Sequence, residues 1–411
     1  MTGFSTFAVH GDSLLEKNPH GALRTPVYDS VAFEHDSAED INRVFAGRKP
    51  GYAYSRITNP TVADFENRVK LLCGASAVIA VSSGMAALSN ILLTLAGAGT
   101  NIVTSRHLFG NTLSLIGKTL KPWGLEVRYV SMANPLEIQS AIDGNTRALL
   151  LETVTNPQLE VADIAKVAAI TSVKGVPLIV DNTLTTPYLF RSKDFGANIE
   201  VLSSTKYISG GATSVGGLII DNGNFDWRRA PRLEEWARKM GPMALLGILR
   251  REVYRNLGGC LAPHHAYLHT LGLETMSLRI EKSCTNALAI ARFLRQHQKV
   301  AAVNYPGLEE SAHHEVAVRQ FAKRFGGILT FDLQSRDACF ALINRLKLIR
   351  RASNVNDNKT LILHPASTIF CEYDDRELAA MNIRPTMIRL SVGIEDSNDI
   401  IHDLERGLAA L

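Results

Sequence analysis

The chain has 411 residues, 46% of them apolar and 20% charged, and its 44 basic and 40 acidic side chains leave a formal net charge of +4. That is the make-up of an ordinary folded protein long enough for two or three domains. It excludes a disordered chain, and the near-even charge balance makes no electrostatic case for nucleic acid.

Residues 1–60 mix proline, glycine and polar residues with weak periodicity, and GRKPGYAYSRITNPT reads as loop. This part is expected to be an extended N-terminal arm. It shows no basic segment followed by an apolar one, so no signal peptide is expected. From about residue 60 the pattern becomes regular. TVADFENRVKLLCG predicts a helix closed by glycine, SAVIAVSS a short strand, and GMAALSNILLTLAGAG a second helix. The apolar runs NIVTSR, LEVRYV, RALLLETV, VPLIVDNT, IEVLSSTK and GGLIID predict further strands, and VADIAKVAAITSVKG a helix between two of them. Continuous apolar strands alternating with helices predict a mostly parallel sheet covered on both faces.

A long helical zone, APRLEEWARKMGPMALLGILRREVYRNLGG, comes next, then one helix over ETMSLRIEKSCTNALAIARFLRQH. The strands GGILTFDL and MIRLSVG and the helix SNDIIHDLERGLAAL predict a smaller α+β unit. The expected division is an arm over 1–60, a large domain over 61–260 and a C-terminal domain over 261–411. WRRAPRLEEWARK and LKLIRR are basic but interrupted, and read as solvated helix faces. No window of ~18 uninterrupted apolar residues predicts a membrane span. The five cysteines, Cys73, Cys260, Cys284, Cys339 and Cys371, are odd in number and lack CxxC spacing. They read as thiols buried in a reducing cytoplasm.

In open α/β sheets ligands sit at the carboxyl ends of strands, and three such ends carry chemistry. AVIAVSSGM places Ser82, Ser83 and Gly84 where a helix begins. Backbone N–H groups there suit a phosphate, although SSG before a helix is more often an N-cap. VPLIVDNT ends in Asp181, a carboxylate that is costly at the end of a buried strand unless it meets a cation or donor. IEVLSSTK ends in Lys206, which is either an ordinary strand-end lysine or an amine able to form a Schiff base. Pyridoxal 5′-phosphate (PLP) needs all three: an amine for its aldehyde, a carboxylate for its pyridinium nitrogen and a cradle for its phosphate. Adjacent histidines, His264–His265 and His313–His314, lack the spacing and carboxylates of a metal site, and no metal is expected.

The stretches YSRITNPT, SSGMAAL, IVDNT, SSTKYISGG, GLETMSLR, HPAST and RLSVGIED resemble the cysteine/methionine-metabolism group of PLP enzymes, from about residue 20 to the C-terminus. Within it the chain looks most similar to the O-acetyl- and O-succinylhomoserine sulfhydrylases. The resemblance implies an α/β, type I PLP-dependent transferase (aspartate aminotransferase-like) fold. It also implies a cytoplasmic homotetramer of two catalytic dimers. Lys206 would hold the cofactor and move protons, and Asp181 would face the ring nitrogen. Ser203 and Thr205 would hold the cofactor beside the lysine. Gly84 and Met85, with Ser83 nearby, would bind the phosphate. Tyr54 and Arg56 would reach the phosphate of a neighbouring subunit, so that active sites are shared. Asn156 would sit near the phenolic oxygen, and Phe109 would stack on the ring. Arg389 would clamp the substrate α-carboxylate, with Ser353 and Asn354 adding contacts.

One departure bears on the chemistry. Most members of the group have tyrosine where this chain has Phe109, which preserves stacking but offers no proton. Lys206 or Tyr54 would have to help instead. Asn111 stands where methionine γ-lyases have cysteine, and SGGATSVGG lacks the histidine common at that loop. The resemblance thus implies γ-replacement on an O-acyl-L-homoserine by a sulfur nucleophile, sulfide giving homocysteine, in methionine biosynthesis. Cystathionine γ-synthase or a γ-lyase is the alternative within the group, and a non-catalytic PLP-binding protein the alternative outside it.

Overall fold

The computed structural model describes residues 3–11 and 18–411. Residues 1–2 and 12–17 of the expected arm lie outside them. The arm is less extended than its composition predicts, because it holds the helices Phe4–His10 and Ala38–Phe45. Ser37 caps the second by accepting the Asp40 N–H at 3.1 Å, and acidic residues fill its first turn. The cap and the favourable helix-dipole charge both stabilise the first turn of this short polar helix.

The helix Pro60–Cys73 begins where Asn59 accepts the N–H groups of Thr61 and Val62, with proline at the first position, and it ends at Gly74 with φ +62°. It leads into the first of seven strands that form one sheet: β1 (Ala77–Val81), β2 (Asn101–Thr104), β3 (Glu126–Tyr129), β4 (Thr146–Glu152), β5 (Leu178–Asp181), β6 (Ile199–Leu202) and β7 (Gly217–Asp221). Their order is β1-β7-β6-β5-β4-β2-β3, with β7 antiparallel to both neighbours and every other pair parallel. Each apolar run of the sequence is therefore a strand.

Successive residues alternate between two buried faces. Ile79, Val81, Ile179, Val201 and Ile219 pack with the helix Gly84–Leu95. Val78, Ala80, Leu218 and Ile220 pack with the helix Pro60–Cys73. Each such side chain contributes about 1.5–3 kcal/mol on burial, which is why these strands tolerate so few polar residues before their ends.

The zone 227–257 is not one helix. It divides at Gly241, with φ +57°, and Pro242, which end the helix Glu234–Met240 before a second helical stretch runs over 244–257. Two helices, Pro263–Glu274 and Met276–Gln296, lead to the second sheet. It comprises β8 (Ala302–Asn304), β9 (Ile328–Asp332), β10 (Arg350–Arg351), β11 (Leu361–Leu363) and β12 (Met387–Ser391), ordered β10-β11-β12-β9-β8. Helices Met276–Gln296, Arg336–Arg345 and Ser397–Ala409 supply its core, with Leu294, Leu342 and Leu404 meeting Phe331 and Leu390.

Two sequence expectations fail here. LKLIRR is not a helix face: Arg350 and Arg351 form the exposed edge strand β10, a charged edge that discourages further pairing. The cysteines are not uniformly buried, since Cys371 is exposed and Cys260 half-buried. Among the described residues no helix is long and apolar enough to cross a membrane, and no cluster of metal-ligating side chains occurs.

Candidate active site

The carboxyl ends of β4, β5 and β6, the start of the helix Gly84–Leu95 and the second sheet enclose a cavity of about 270 Å³. Ser83, Gly84, Met85, Phe109, Asn156, Asp181, Ser203, Thr205 and Lys206 line it from the first sheet, and Ser353 and Arg389 from the second half of the chain. A larger crevice of about 670 Å³ opens beside it, past the ends of β2 and β3, and shares Glu152 with it. The lysine that lines the crevice, Lys166, is exposed and pairs with the half-buried Asp163, whereas Lys206 in the smaller cavity is held inside, so the smaller cavity is the chemical one.

The strand ends explain the geometry. Asp181 is the last residue of β5, and Thr183 folds back onto it. The Thr183 hydroxyl donates to Asp181 Oδ1 at 2.6 Å and its N–H to the same oxygen at 2.9 Å. Oδ2 has no partner among the described residues, so one acceptor remains for a ring N–H. Burial raises the Asp181 carboxyl, and the two Thr183 donors oppose that rise. Glu152 stands in register with Asp181 on β4. Burial, then the Asp181 charge, pushes Glu152 well above the usual carboxylate range. Thr183's donors thus favour the charge on Asp181 over one on Glu152.

Beyond β6, Ser203 donates its N–H to Thr183 Oγ1 at 2.9 Å, and the Thr205 hydroxyl bonds the Gly216 N–H and carbonyl at 3.0 and 3.1 Å. These bonds fix the turn that projects Lys206. Its Nζ donates to Asn354 Oδ1 at 2.5 Å. Burial, then Arg389, pulls the amine down to about 8, with Asp357 opposing. An amine with so low a value reaches its neutral, nucleophilic form at a lower pH than a free lysine does.

Ser83 does act as an N-cap: its hydroxyl accepts the Ala86 N–H at 3.0 Å, while its carbonyl takes the Ala87 N–H. The N–H groups of Gly84 and Met85 remain without acceptors among the described residues and suit an anion. Gly217 permits this packing, because a Cβ there would lie 2.1 Å from the Ser83 oxygen.

Arg389, on β12, is 2% exposed. Nη1 donates to Asn156 Oδ1 at 3.0 Å and Nη2 to the Asn354 carbonyl at 3.1 Å, but among the described residues Nε has no partner and no carboxylate pairs with the guanidinium. Burial pulls it down to about 9. A buried cation without a counter-ion is costly, and a ligand carboxylate would relieve it.

Tyr54 and Arg56 were expected at a neighbouring subunit's site rather than at this one. Tyr54 and Arg56 do not line this chain's cavity: Tyr54 is exposed, and Arg56 lies over its ring and donates to the Arg255 carbonyl at 2.5 Å. The Asn354 side chain meets the Lys206 amine. Glu152, Thr183 and Asp357 were not singled out from sequence. Glu152 carries the same signal as Asp181, a carboxylate ending a buried strand, whereas Asp357 sits in a loop with no local signal.

The free acceptor on Asp181, the unpaired N–H groups at Gly84 and Met85, and the lysine between them match the ring nitrogen, phosphate and aldehyde of PLP. Fold and site together define a PLP-dependent enzyme of the α/β, type I class.

The family described as Cys/Met metabolism PLP-dependent enzymes matches residues 5–409, and the chain belongs to it. An O-acetyl-L-homoserine sulfhydrylase of Corynebacterium glutamicum is 38% identical, covering 100% of this chain and 97% of the relative. An L-methionine gamma-lyase of Fusobacterium nucleatum subsp. polymorphum is also 38% identical, over 99% and 98%. A Campylobacter jejuni structure, described as an O-acetylhomoserine (thiol)-lyase and containing N'-pyridoxyl-lysine-5'-monophosphate, superposes with a TM-score of 0.95 at 32% identity, over 99% of this chain and 100% of that one.

Proposed function

We propose that the protein replaces the acyloxy group at Cγ of O-acetyl-L-homoserine by a sulfur nucleophile, with sulfide giving homocysteine. The charge inventory of the cavity carries this choice. Its ionisable lining is Glu152, Asp181, Lys206 and Arg389. Lys206 serves the cofactor and Arg389 the substrate α-carboxylate, as a fork able to take both oxygens. Among the described residues no third cation lines the cavity to meet the distal carboxylate of a succinyl group. Leu88, Val154, Leu184, Val215 and Val355 offer an apolar wall instead. The sulfhydrylase name of the C. glutamicum relative supports the same reading.

PLP supplies an electron sink for charge that develops at Cα and Cβ of the substrate. Asp181 holds the ring nitrogen protonated, Gly84 and Met85 bind the phosphate, and Ser203 and Thr205 keep the lysine turn in place. Phe109 covers the ring, Asn156 orients Arg389, and Ser353 and Asn354 border the substrate. Lys206, with Tyr54, moves protons. Tyr54 and Arg56 lie outside this chain's own cavity and serve a neighbouring copy, in a cytoplasmic homotetramer with shared sites. The chain divides into an arm (1–60), a cofactor domain (61–260) and a C-terminal domain (261–411).

A γ-lyase is the second reading, favoured by the methionine gamma-lyase relative. Phe109 weighs against it, because a thiolate leaving group needs more proton assistance than acetate. The test is to offer O-acetyl- and O-succinyl-L-homoserine with sulfide, and L-methionine alone, measuring homocysteine and 2-oxobutyrate. Homocysteine from the acetyl ester is expected to dominate. Release of 2-oxobutyrate from methionine without homocysteine formation would overturn the assignment.

A further inference from the structure

The loop Ser353–Asn358 enters the cavity rim from the second sheet and is anchored both to the lysine turn and to β12. Asn358 Nδ2 donates to the Gly210 carbonyl at 2.8 Å, and Asn356 donates its backbone N–H to Ser391 Oγ at 2.8 Å. Between these anchors, Lys206 Nζ donates to Asn354 Oδ1 at 2.5 Å, and Asn354 Nδ2 donates to Asp357 Oδ2 at 3.2 Å. The other oxygen of Asp357 accepts the Lys359 N–H at 3.1 Å, which fixes the carboxylate in its turn.

The chemistry of the three groups allows one arrangement. A carboxylate only accepts and an ammonium only donates. An amide between them satisfies both when its NH₂ faces Asp357 and its oxygen faces Lys206. The reversed amide would set NH₂ against ammonium and oxygen against carboxylate. Asp357 therefore decides the orientation of Asn354, and Asn354 decides where the free amine rests.

We propose that Asp357, acting through the Asn354 amide, is a positioning residue that holds the free Lys206 ε-amine at the cavity rim whenever the amine is not bonded to the cofactor. This rests on Lys206 being the cofactor lysine. The lysine must leave the cofactor while substrate occupies it, and must then deliver and accept protons from a fixed place. An untethered four-carbon stem would lose that geometry, which costs rate more than binding. The titratable and charged groups around the amine are Arg389 from β12, Asp181 and Glu152 from the ends of β5 and β4, and Asp357 itself. Arg389 lowers the amine and Asp357 raises it.

The test uses full-length protein and three variants. Asp357→Asn keeps an acceptor for the Lys359 N–H and removes the charge. Asp357→Glu restores the charge. Asn354→Ala removes the middle of the chain and leaves the Asp357 turn intact. The first readout is the pH dependence of PLP capture by the apoprotein, in which the neutral amine adds to the aldehyde carbon and water is lost. Its midpoint is expected to fall by about half a unit in Asp357→Asn and to return in Asp357→Glu. The second is turnover of the holoenzyme: kcat is expected to fall about tenfold in Asp357→Asn and in Asn354→Ala, with KM within about twofold, and the two substitutions together to cost no more than one alone. An unchanged midpoint with unchanged kcat in Asp357→Asn overturns the proposal, as do fully additive effects of the pair. Capture that persists in Lys206→Met would instead refute Lys206 as the cofactor lysine.

Discussion

Replacing Lys206 by methionine should make the apoprotein more stable. The amine is held at about 8, against 10.5 for a free lysine, by burial and by Arg389. At about 1.4 kcal/mol per unit, keeping it charged in the fold at pH 7 costs about 3 kcal/mol. Methionine keeps the apolar stem but loses the bond to Asn354, about 1.5–3 kcal/mol for a charged donor. The net expected gain is up to about 1.5 kcal/mol at pH 7. The sign changes with pH in a defined window. Below about 8 both folded and unfolded wild-type chains carry the proton, and the full penalty applies. Between about 8 and 10.5 the unfolded chain binds more protons than the folded one, so wild-type stability rises with pH. The gap between the two proteins should therefore shrink, and then reverse, as pH rises from 8 to 10.5. Thermal unfolding of both apoproteins at one fixed concentration, from pH 7 to pH 10, reads it directly. A variant no more stable than wild type at pH 7, or a gap flat across that range, would refute the reasoning.

Glu152 accepts the Phe109 N–H at 2.6 Å and the Asn156 N–H at 3.3 Å, so Glu152→Gln should strand one buried donor. The expected loss is about 1–3 kcal/mol, read as a lower melting temperature together with weaker PLP binding by equilibrium dialysis. Arg250 pairs with Glu66 at 2.5 Å, and Glu66 also accepts the Ala80 N–H at 2.7 Å. Arg250→Met leaves that carboxylate unpaired and should destabilise by about 3–5 kcal/mol in denaturant unfolding, whereas the double change Arg250→Met, Glu66→Leu should recover part of it. Phe109→Tyr supplies the missing hydroxyl and should raise 2-oxobutyrate release severalfold relative to homocysteine formation. An unchanged product ratio would remove the hydroxyl from the explanation.

Local patterns made the strands and the cofactor lysine legible in the sequence. Most strands of the first sheet are short apolar runs, because burial on both faces leaves little room for polar residues before the strand ends; the edge strand β3, with Glu126 and Arg128, and Glu200 within β6 are exceptions. The same constraint exposed Asp181 and Lys206, whose charge breaks such a run. The start of the helix Gly84–Leu95 was readable from the serine and glycine that open it. The tertiary structure decided what depends on distant partners. Nothing local tells β7 to run against its neighbours between β1 and β6, since its five buried residues would suit a parallel strand equally well. Asn354 reads as one polar loop residue among several, and only the second sheet brings its amide to a lysine 148 positions earlier. Arg389 reads as a charge inside an apolar strand; folding leaves its guanidinium buried without a counter-ion in the cavity wall. The sequence by itself determined which residues could carry the chemistry, because periodicity and composition act over a few neighbours. Folding decided which of them meet, because side-chain contact is set by strand order and loop path.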